Sequence, residues 1–213
     1  MGRLNLLRVL SKRGSQPLDA PAYWEMRAPD LIYGYDHPES WDERSWLSAG
    51  VEEKLVPQLL REHAVVSVLV VGAGTGRQYK FLADFGVDVR GFDLSPTLVA
   101  AARERHPEIE TVVDDLLGAE QRHTVADAVL ATAVLQHIDP ARIHEAARSV
   151  AALARKLIIV REATWLAERS AYQWAHDYQA LFSEWELVQC VVTDEAGRYR
   201  VELQAFVPRA PQI

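Results

Sequence analysis

Five small residues, Gly72-Ala73-Gly74-Thr75-Gly76, separate an apolar stretch from an amphipathic one, and an acid, Asp93, closes the next apolar stretch. Such an arrangement can hold a nucleoside. Glycines let the backbone approach a ligand closely, and the N–H groups at the start of a following helix have no partner of their own. A carboxylate at the end of the neighbouring strand can accept both hydroxyls of a ribose. The spacing narrows the ligand. A dinucleotide turn, G-x-G-x-x-G/A, needs Gly or Ala at position 77, where this chain has Arg77. Its third glycine comes one residue early, as Gly76. A phosphate loop needs Gly-Lys followed by Ser or Thr, and that triplet is absent. The residues describe a nucleoside-binding turn without a diphosphate cradle, set against the plainer alternative of a structural turn in some other α/β protein.

The elements that must position this turn follow from the hydrophobic pattern. Val65 to Val71, mostly β-branched, predicts a buried parallel strand. Tyr79, Phe81, Leu82 and Phe85 predict a helix that Gly86 closes, and Val87 to Phe92 a second strand ending on Asp93. Upstream, Val51 to His63 reads as a helix that Pro57 would kink or restart. Downstream, Ser95 is a good N-cap and Pro96 suits the first helical position, for a helix that stops before Pro107. Strands over Ile109 to Val113, Val125 to Ala131 and Lys156 to Arg161, with a helix from Ala141 to Leu153, complete an alternation that calls for a parallel sheet with helices on both faces. The end departs from that pattern. A helical region from Trp165 to Trp185 is expected, then Leu187 to Thr193 and Tyr199 to Val207 joined by the turn Asp194-Glu195-Ala196-Gly197. That connection is too short for a parallel crossover, so the last strand must run antiparallel to its neighbour.

Residues 1–50 read as an N-terminal extension packing on a domain of residues 51–213. Pro17, Pro21, Pro29 and Pro38 are expected to break up any long element, and a helix is expected to start within Ser40 to Ser48. Tyr23, Trp24, Tyr33, Tyr35, Trp41 and Trp46 make the extension too aromatic for a disordered tail. It covers either a ligand or only core. The opening MGRLNLLRVLSKRGS is a poor secretory signal, because charges interrupt its leucines; it suits a short amphipathic helix docked on the domain.

Bulk numbers exclude several classes. The 213 residues suffice for one α/β domain with a sizeable core. A net charge of −7 argues against general nucleic-acid binding, which needs a cationic surface to displace counterions. One cysteine, Cys190, cannot form an intrachain disulfide or a cysteine-built metal site, and fits a reducing cytoplasm. No apolar run approaches a membrane span, so stable membrane insertion is not expected. Nothing in the sequence sets an oligomeric state.

Taken together, VLVVGAGTG, GFDLSPTLVAAAR, VVDDLL, DAVLATAVLQHIDP and the terminal hairpin resemble the class I methyltransferases that use S-adenosylmethionine, over about Glu52 to Val207 and most closely the small-molecule type. The resemblance implies a Rossmann-like doubly wound sheet of seven strands, mostly parallel with an antiparallel last strand. It implies methyl transfer to an oxygen or nitrogen of a small molecule by in-line displacement. The cofactor carries the reactive group and the protein supplies position and electrostatics. By the same resemblance Gly72, Ala73, Gly74 and Gly76 would lie against the methionine and ribose parts, Asp93 on the ribose hydroxyls and Leu94 on the adenine. Asp115 or Asp114 would accept from the adenine amino group, with Leu116 beside them. Ala131 and Thr132 would line the cofactor, and Tyr23, Trp24 and Arg27 would approach the methionine carboxylate. Two other readings share the glycine turn. An NAD(P)-dependent oxidoreductase is opposed by Arg77 and the hairpin, and a non-catalytic cofactor-binding protein is opposed by the intact turn and Asp93.

A base is needed only if the acceptor must lose a proton. His137, beyond the fourth strand, is the candidate general base, since an ordinary histidine pKa of about 6.5 suits proton transfer. It equally suits capping a helix or packing beside the cofactor. His176, with Asp177, is the alternative, against a plain amphipathic surface helix. Trp165, Tyr172, Trp174 and Tyr178 form either an acceptor pocket or core, and Arg161-Glu162 either touches the acceptor or makes a salt bridge at the rim. The acids Asp114, Asp115 and Glu162 are not clustered in sequence, so no metal is expected.

Overall fold

Successive residues of the central strands point to opposite faces, and each face is covered by its own set of helices. In the computed structural model, which describes residues 20–37, 50–167, 172–197 and 199–210, seven strands form one sheet of order β3-β2-β1-β4-β5-β7-β6. They are β1 (Ser67–Val71), β2 (Asp88–Asp93), β3 (Glu110–Val113), β4 (Ala126–Thr132), β5 (Ala154–Leu166), β6 (Trp185–Ala196) and β7 (Tyr199–Pro208). The first five pair in parallel; β7 inserts between β5 and β6 and is antiparallel to both. Among the described residues six α-helices surround the sheet: α1 (Ala20–Asp36), α2 (Glu52–Glu62), α3 (Tyr79–Phe85), α4 (Pro96–Arg105), α5 (Ile143–Leu153) and α6 (Tyr178–Leu181). Leu69, Val71, Val129 and Ile158 pack on α5 through Ile143, Ala146 and Val150. On the other face Val68, Val70, Leu130 and Ile159 pack on α2 and α3 through Val56, Leu60, Tyr79 and Leu82.

The local signals around the glycine turn are met. Gly86 caps α3 in the left-handed region at φ 89°, and the Ser95 hydroxyl accepts from Leu98 N with Pro96 in the first turn of α4. Other expectations are corrected. Pro57 lies inside a continuous α2. Pro21 and Pro29 lie inside the 17-residue α1 without ending it. A proline costs a helix a hydrogen bond, and here contacts at both ends of α1, from Tyr23 to Asp36, outweigh that loss. The helix expected over Trp165 to Trp185 is absent among the described residues. β5 continues to Leu166 because β7 is long enough to pair with it as far as Leu166↔Tyr199, past a bulge at Ala163/Trp165, and only the four residues of α6 are helical. The hairpin turn is tighter than expected, since β6 runs through Asp194 and Glu195 to Ala196. The segment MGRLNLLRVLSKRGS, Trp41, Trp46 and the helix expected at Ser40 to Ser48 lie outside the described residues. None of the described helices is long and apolar enough to cross a membrane.

Candidate active site

Parallel strands leave their carboxyl ends open to loops, and ligands of open α/β sheets bind there. At the end of β1 the chain turns through Gly72, Gly74 and Gly76, all at positive φ (62°, 56° and 80°). A Cβ on Gly72 would stand 2.3 Å from Val134 Cγ2, and one on Gly76 2.9 Å from the Tyr79 and His106 rings, so both are packed against protein. A Cβ on Gly74 would meet nothing within 4 Å. Gly74 therefore borders open space, bare backbone toward it. At the end of β2, Asp93 is 8% exposed. Its two oxygens accept from Gly74 N at 2.8 Å and Ser95 N at 2.9 Å, which fixes the carboxylate against the turn. Burial raises its pKa against the pull of those N–H groups. Each carboxylate oxygen keeps a second lone pair for a ligand hydroxyl.

The double acid resolves into two jobs. Asp114 binds Arg122 (2.8 Å) and His123 (2.7 Å), and its pKa is lowered because those partners outweigh its partial burial. Asp115 accepts from Leu117 N at 3.0 Å. Leu94 is half-buried beside Asp93, whereas Leu116 is buried in the core. Ala131 is fully buried in the core under α5, and the Thr132 hydroxyl donates to Glu52 at 2.6 Å. Neither presents an open surface. Glu52, 1% exposed, also pairs with Arg77 at 3.1 Å, so the residue that replaces the dinucleotide glycine ties the turn to α2 and β4.

Helix α1 brings Tyr23, Trp24 and Arg27 to this edge. Trp24 packs on the His137 ring (centroids 4.8 Å, 81°), Tyr23 on Tyr172 (4.7 Å), and Arg27 donates to the Tyr23 hydroxyl at 3.3 Å. Glu25, between them, accepts from the Ser95 hydroxyl at 2.6 Å and from the Thr97 hydroxyl at the start of α4. One end of these contacts lies beyond β2 and the other beyond β4 and β5, so α1 crosses the end of β1, where the glycine turn sits.

Beyond β4 the loop is held from beneath. Glu162, fully buried, accepts from Val134 N (2.9 Å), Leu135 N (3.0 Å) and Gln136 N (3.2 Å). Burial pushes its pKa up to about 8 against those donors. Arg161 points to the opposite face, fully buried, its Nε donating to Thr193 at 3.0 Å. The pair is thus not a rim salt bridge: consecutive strand residues cannot share a face. Ala133, which opens the loop, is held at φ 58°. Gln136 links three segments: its Oε1 accepts from Ala163 N, its backbone carbonyl from Trp174 N, and its Nε2 meets His137 Nε2 at 3.2 Å.

That contact decides the state of His137. Nδ1 lies 2.6 Å from the Tyr172 carbonyl, which can only accept. Nδ1 therefore carries the proton and Nε2 accepts from the Gln136 amide. Burial lowers the pKa to about 4, with the Arg27 charge adding to the effect. A histidine whose pKa is depressed on folding contributes stability in full above its ordinary value of about 6.5 and loses it as pH falls through the folded value. The C2 proton of His137 is accordingly expected to show no titration by NMR between pH 5 and 8. His176 is half-buried, its Nε2 3.1 Å from the Ile138 carbonyl, and burial lowers its pKa too. It lies with Asp177 and Tyr178 away from Asp93, across β4 and β5. Trp165 is exposed, and Tyr178 packs in the core. Among the described residues no three of His, Cys, Asp and Glu gather closely enough to hold a metal.

Sequence reasoning missed Glu25, Glu52 and Gln136. The segments AYWEMR and LQH stand out for their rings and cation, and nothing in sequence marks which neighbouring polar residue is turned inward.

Comparison with known proteins places this geometry. Residues 68–156 match the family described as "Methyltransferase domain". The demethylmenaquinone methyltransferase of Beutenbergia cavernae is 34% identical over 117 residues, 54% of this chain. The match spans 45% of that protein, so the chain covers under half of its curated relative's length. Among solved structures, magnesium protoporphyrin IX methyltransferase from Synechocystis PCC 6803, with S-adenosylmethionine bound, superimposes with a TM-score of 0.66 at 17% identity, covering 91% of this chain and 100% of that one. A TehB-like methyltransferase from Corynebacterium glutamicum gives 0.64 at 18% identity, covering 89% and 100%. With the sheet order and the reversed β7 these matches agree: residues 68–156 match the methyltransferase domain family, and the chain shares the fold of the solved S-adenosylmethionine-dependent methyltransferases.

Proposed function

We propose that this chain transfers a methyl group from S-adenosylmethionine to an oxygen or nitrogen of a small molecule. The observation that carries the reading is Asp93, whose carboxylate is locked to Gly74 N at the end of β1 while Gly74 itself borders open space. The residues present fit the cofactor. Two carboxylate oxygens with spare lone pairs suit a ribose diol, and bare backbone at Gly74 suits close approach of the chain that joins ribose to methionine. Asp115 takes the adenine amino group, because both oxygens of Asp114 are held by Arg122 and His123. When bound, the cofactor supplies a sulfonium-linked methyl carbon open to in-line attack. The protein orients and excludes water: α1 acts as a lid whose Tyr23, Trp24 and Arg27 close the methionine end. In this reading His137 is a positioning residue, its ring fixing Trp24 of the lid and the Tyr172 carbonyl. The relatives support a small acceptor, since their names specify demethylmenaquinone and magnesium protoporphyrin IX. A cytoplasmic setting accords with the single, unpaired cysteine.

Calorimetry tests the reading against its rivals. S-adenosylhomocysteine is expected to bind and NADH not to; the reverse would give the site to an oxidoreductase. Gly74→Ala separates binding from folding. At φ 56° an alanine costs about 1–2 kcal/mol of strain, yet its methyl group enters the space left for the ligand. Affinity for S-adenosylhomocysteine should fall more than about tenfold. Gly72→Ala instead drives a methyl group into Val134 and should show its effect as lost stability in a thermal melt.

A further inference from the structure

Helix α1 has little to hold it together by itself. Pro29 divides its 17 residues into two shorter stretches, and isolated helices below about 12–15 residues are marginal in water. Of those residues only Ala28 and Gly34 are buried. A cleft of about 630 Å3, lined by Ile32, Thr97, Ala100 and Glu104 among others, separates α1 from α4, so apolar packing does little to join the two helices. Polar contacts near the two ends hold them together instead. At the far end Arg105 of α4 pairs with Asp36 at 2.7 Å and lies over the Tyr35 ring at 4.7 Å. At the near end, beside the glycine turn, the polar attachment is Glu25.

Glu25 makes three contacts with the start of α4. Its carboxylate accepts from the Ser95 hydroxyl at 2.6 Å, from the Thr97 hydroxyl, and from Thr97 N at 3.3 Å. The bonds from Ser95 and then Thr97 hold its pKa below the ordinary glutamate value, and the start of a helix favours the resulting negative charge. One of these partners is shared with the nucleoside site. Ser95 donates its backbone N–H to Asp93 at 2.9 Å, and its hydroxyl accepts from Leu98 N at 3.2 Å. Ser95 thus connects α1 to the carboxylate that is locked against Gly74. The neighbouring attachments of α1, Trp24 on His137 and Tyr23 on Tyr172, are ring contacts on the far side of the turn.

We propose that Glu25 is the latch of the α1 lid: while it holds Ser95 and Thr97 the glycine turn stays covered, and its release lets the first half of α1 leave the site so that a ligand can exchange. The latch stands on these contacts alone; that the exchanged ligand is S-adenosylmethionine or its product rests on the methyltransferase reading. Glu25 acts through Ser95 and Thr97, which makes it a positioning residue. The Asp36–Arg105 pair keeps α1 attached at the far end while the near end opens. Once unlatched, the stretch before Pro29 buries too little to stay helical, so opening of the lid and local unfolding are one event.

Amide hydrogen exchange on the full chain without ligand tests the latch, and a stopped-flow chase of bound S-adenosylhomocysteine tests its consequence. In Glu25→Ala the amides of α1 should exchange about tenfold faster while those of α2 to α5 keep their rates, and S-adenosylhomocysteine should leave about tenfold faster. Glu25→Gln keeps a carbonyl oxygen for the hydroxyls but loses the charge, and should fall between alanine and wild type. Thr97→Val removes one partner without touching the glycine turn and should act in the same direction. Combined with Glu25→Ala it should add nothing, because the two residues make one contact. The proposal fails if Glu25→Ala leaves α1 exchange or S-adenosylhomocysteine release at the wild-type rate. It also fails if exchange rises equally in α2 to α5, which would make Glu25 a plain stability residue, or if the two substitutions add in full. The measurement without ligand keeps the two readings apart. Faster α1 exchange in a chain that does not bind S-adenosylhomocysteine removes the methyltransferase reading alone, and unchanged α1 exchange in a chain that binds it removes the latch alone.

Discussion

Asp93→Ala will weaken S-adenosylhomocysteine binding by about a hundredfold, the largest loss expected from a single substitution at the turn. Hydrogen bonds to a charged acceptor are each worth about 1.5–3 kcal/mol, and the ribose diol supplies two donors. The carboxylate also does structural work, since the N–H groups of Gly74 and Ser95 point at it. Alanine leaves both donors without a partner, at a cost of about 2–3 kcal/mol, or a melting temperature lower by about 5–10 °C. Asp93→Asn separates the two effects. Asparagine keeps one oxygen for one N–H but turns an amino group toward the other. Stability should fall less than with alanine, while the ribose contact still loses its charge. Calorimetry for affinity and a thermal melt for stability give both numbers. Unchanged affinity in Asp93→Ala would place the nucleoside elsewhere and remove the assignment of the turn.

Residues whose partners are near in sequence were legible, and residues whose partners are distant were not. Gly86 had to end α3 because only glycine takes φ 89° without strain, and Ser95-Pro96 had to start α4 because cap and first turn are neighbours. The same locality made the glycine turn and Asp93 readable, and the reversed last strand followed from a short connection alone. The end of β5 was not readable. Trp165 has no local reason to be extended; its conformation is set by Arg200, its partner on β7. Pro29 in α1 failed as a breaker for the same reason, because Tyr23, Trp24, Glu25 and Asp36 each make a contact with a residue far along the chain. His137 reads as a base because its ordinary pKa suits one. The fold adds burial, which lowers that pKa, and a carbonyl 35 residues away that takes the Nδ1 proton, neither of which has a sequence signature.

Two buried acids then explain how the β4 edge keeps its shape. Glu52 joins Thr132 to Arg77, and so links the end of β4 to the turn that follows β1. Glu162 binds the next three backbone N–H groups, of Val134, Leu135 and Gln136, from the opposite face of the sheet. Between them lies Ala133, at φ 58°, a conformation that a non-glycine residue keeps only when its surroundings impose it. Val134 in turn fills the space beside Gly72. The position of the glycine turn therefore depends on a loop that Glu162 holds.

Removing that hold gives the largest stability effect expected in the chain. Glu162→Ala orphans three N–H groups, two of them, those of Leu135 and Gln136, on fully buried residues, and opens a cavity. The cost should be about 3–5 kcal/mol, a melting temperature lower by about 10–15 °C. The pH dependence identifies the group. Burial raises the folded-state pKa to about 8, well above the ordinary glutamate value. Between those two values the folded chain holds a proton that the unfolded chain has released, so stability falls as pH rises. The contribution is complete below the unfolded value and is lost as pH passes the folded one. Glu162→Gln cannot titrate. Its Oε1 can still accept from Val134 and Leu135, but its amide nitrogen faces the Gln136 N–H. This variant should therefore be less stable than wild type near pH 5, with the gap narrowing steadily toward pH 8.5. Melting curves across that range check the sign, and parallel curves for the two proteins would show that Glu162 is ionised in the fold and that its three donors outweigh burial.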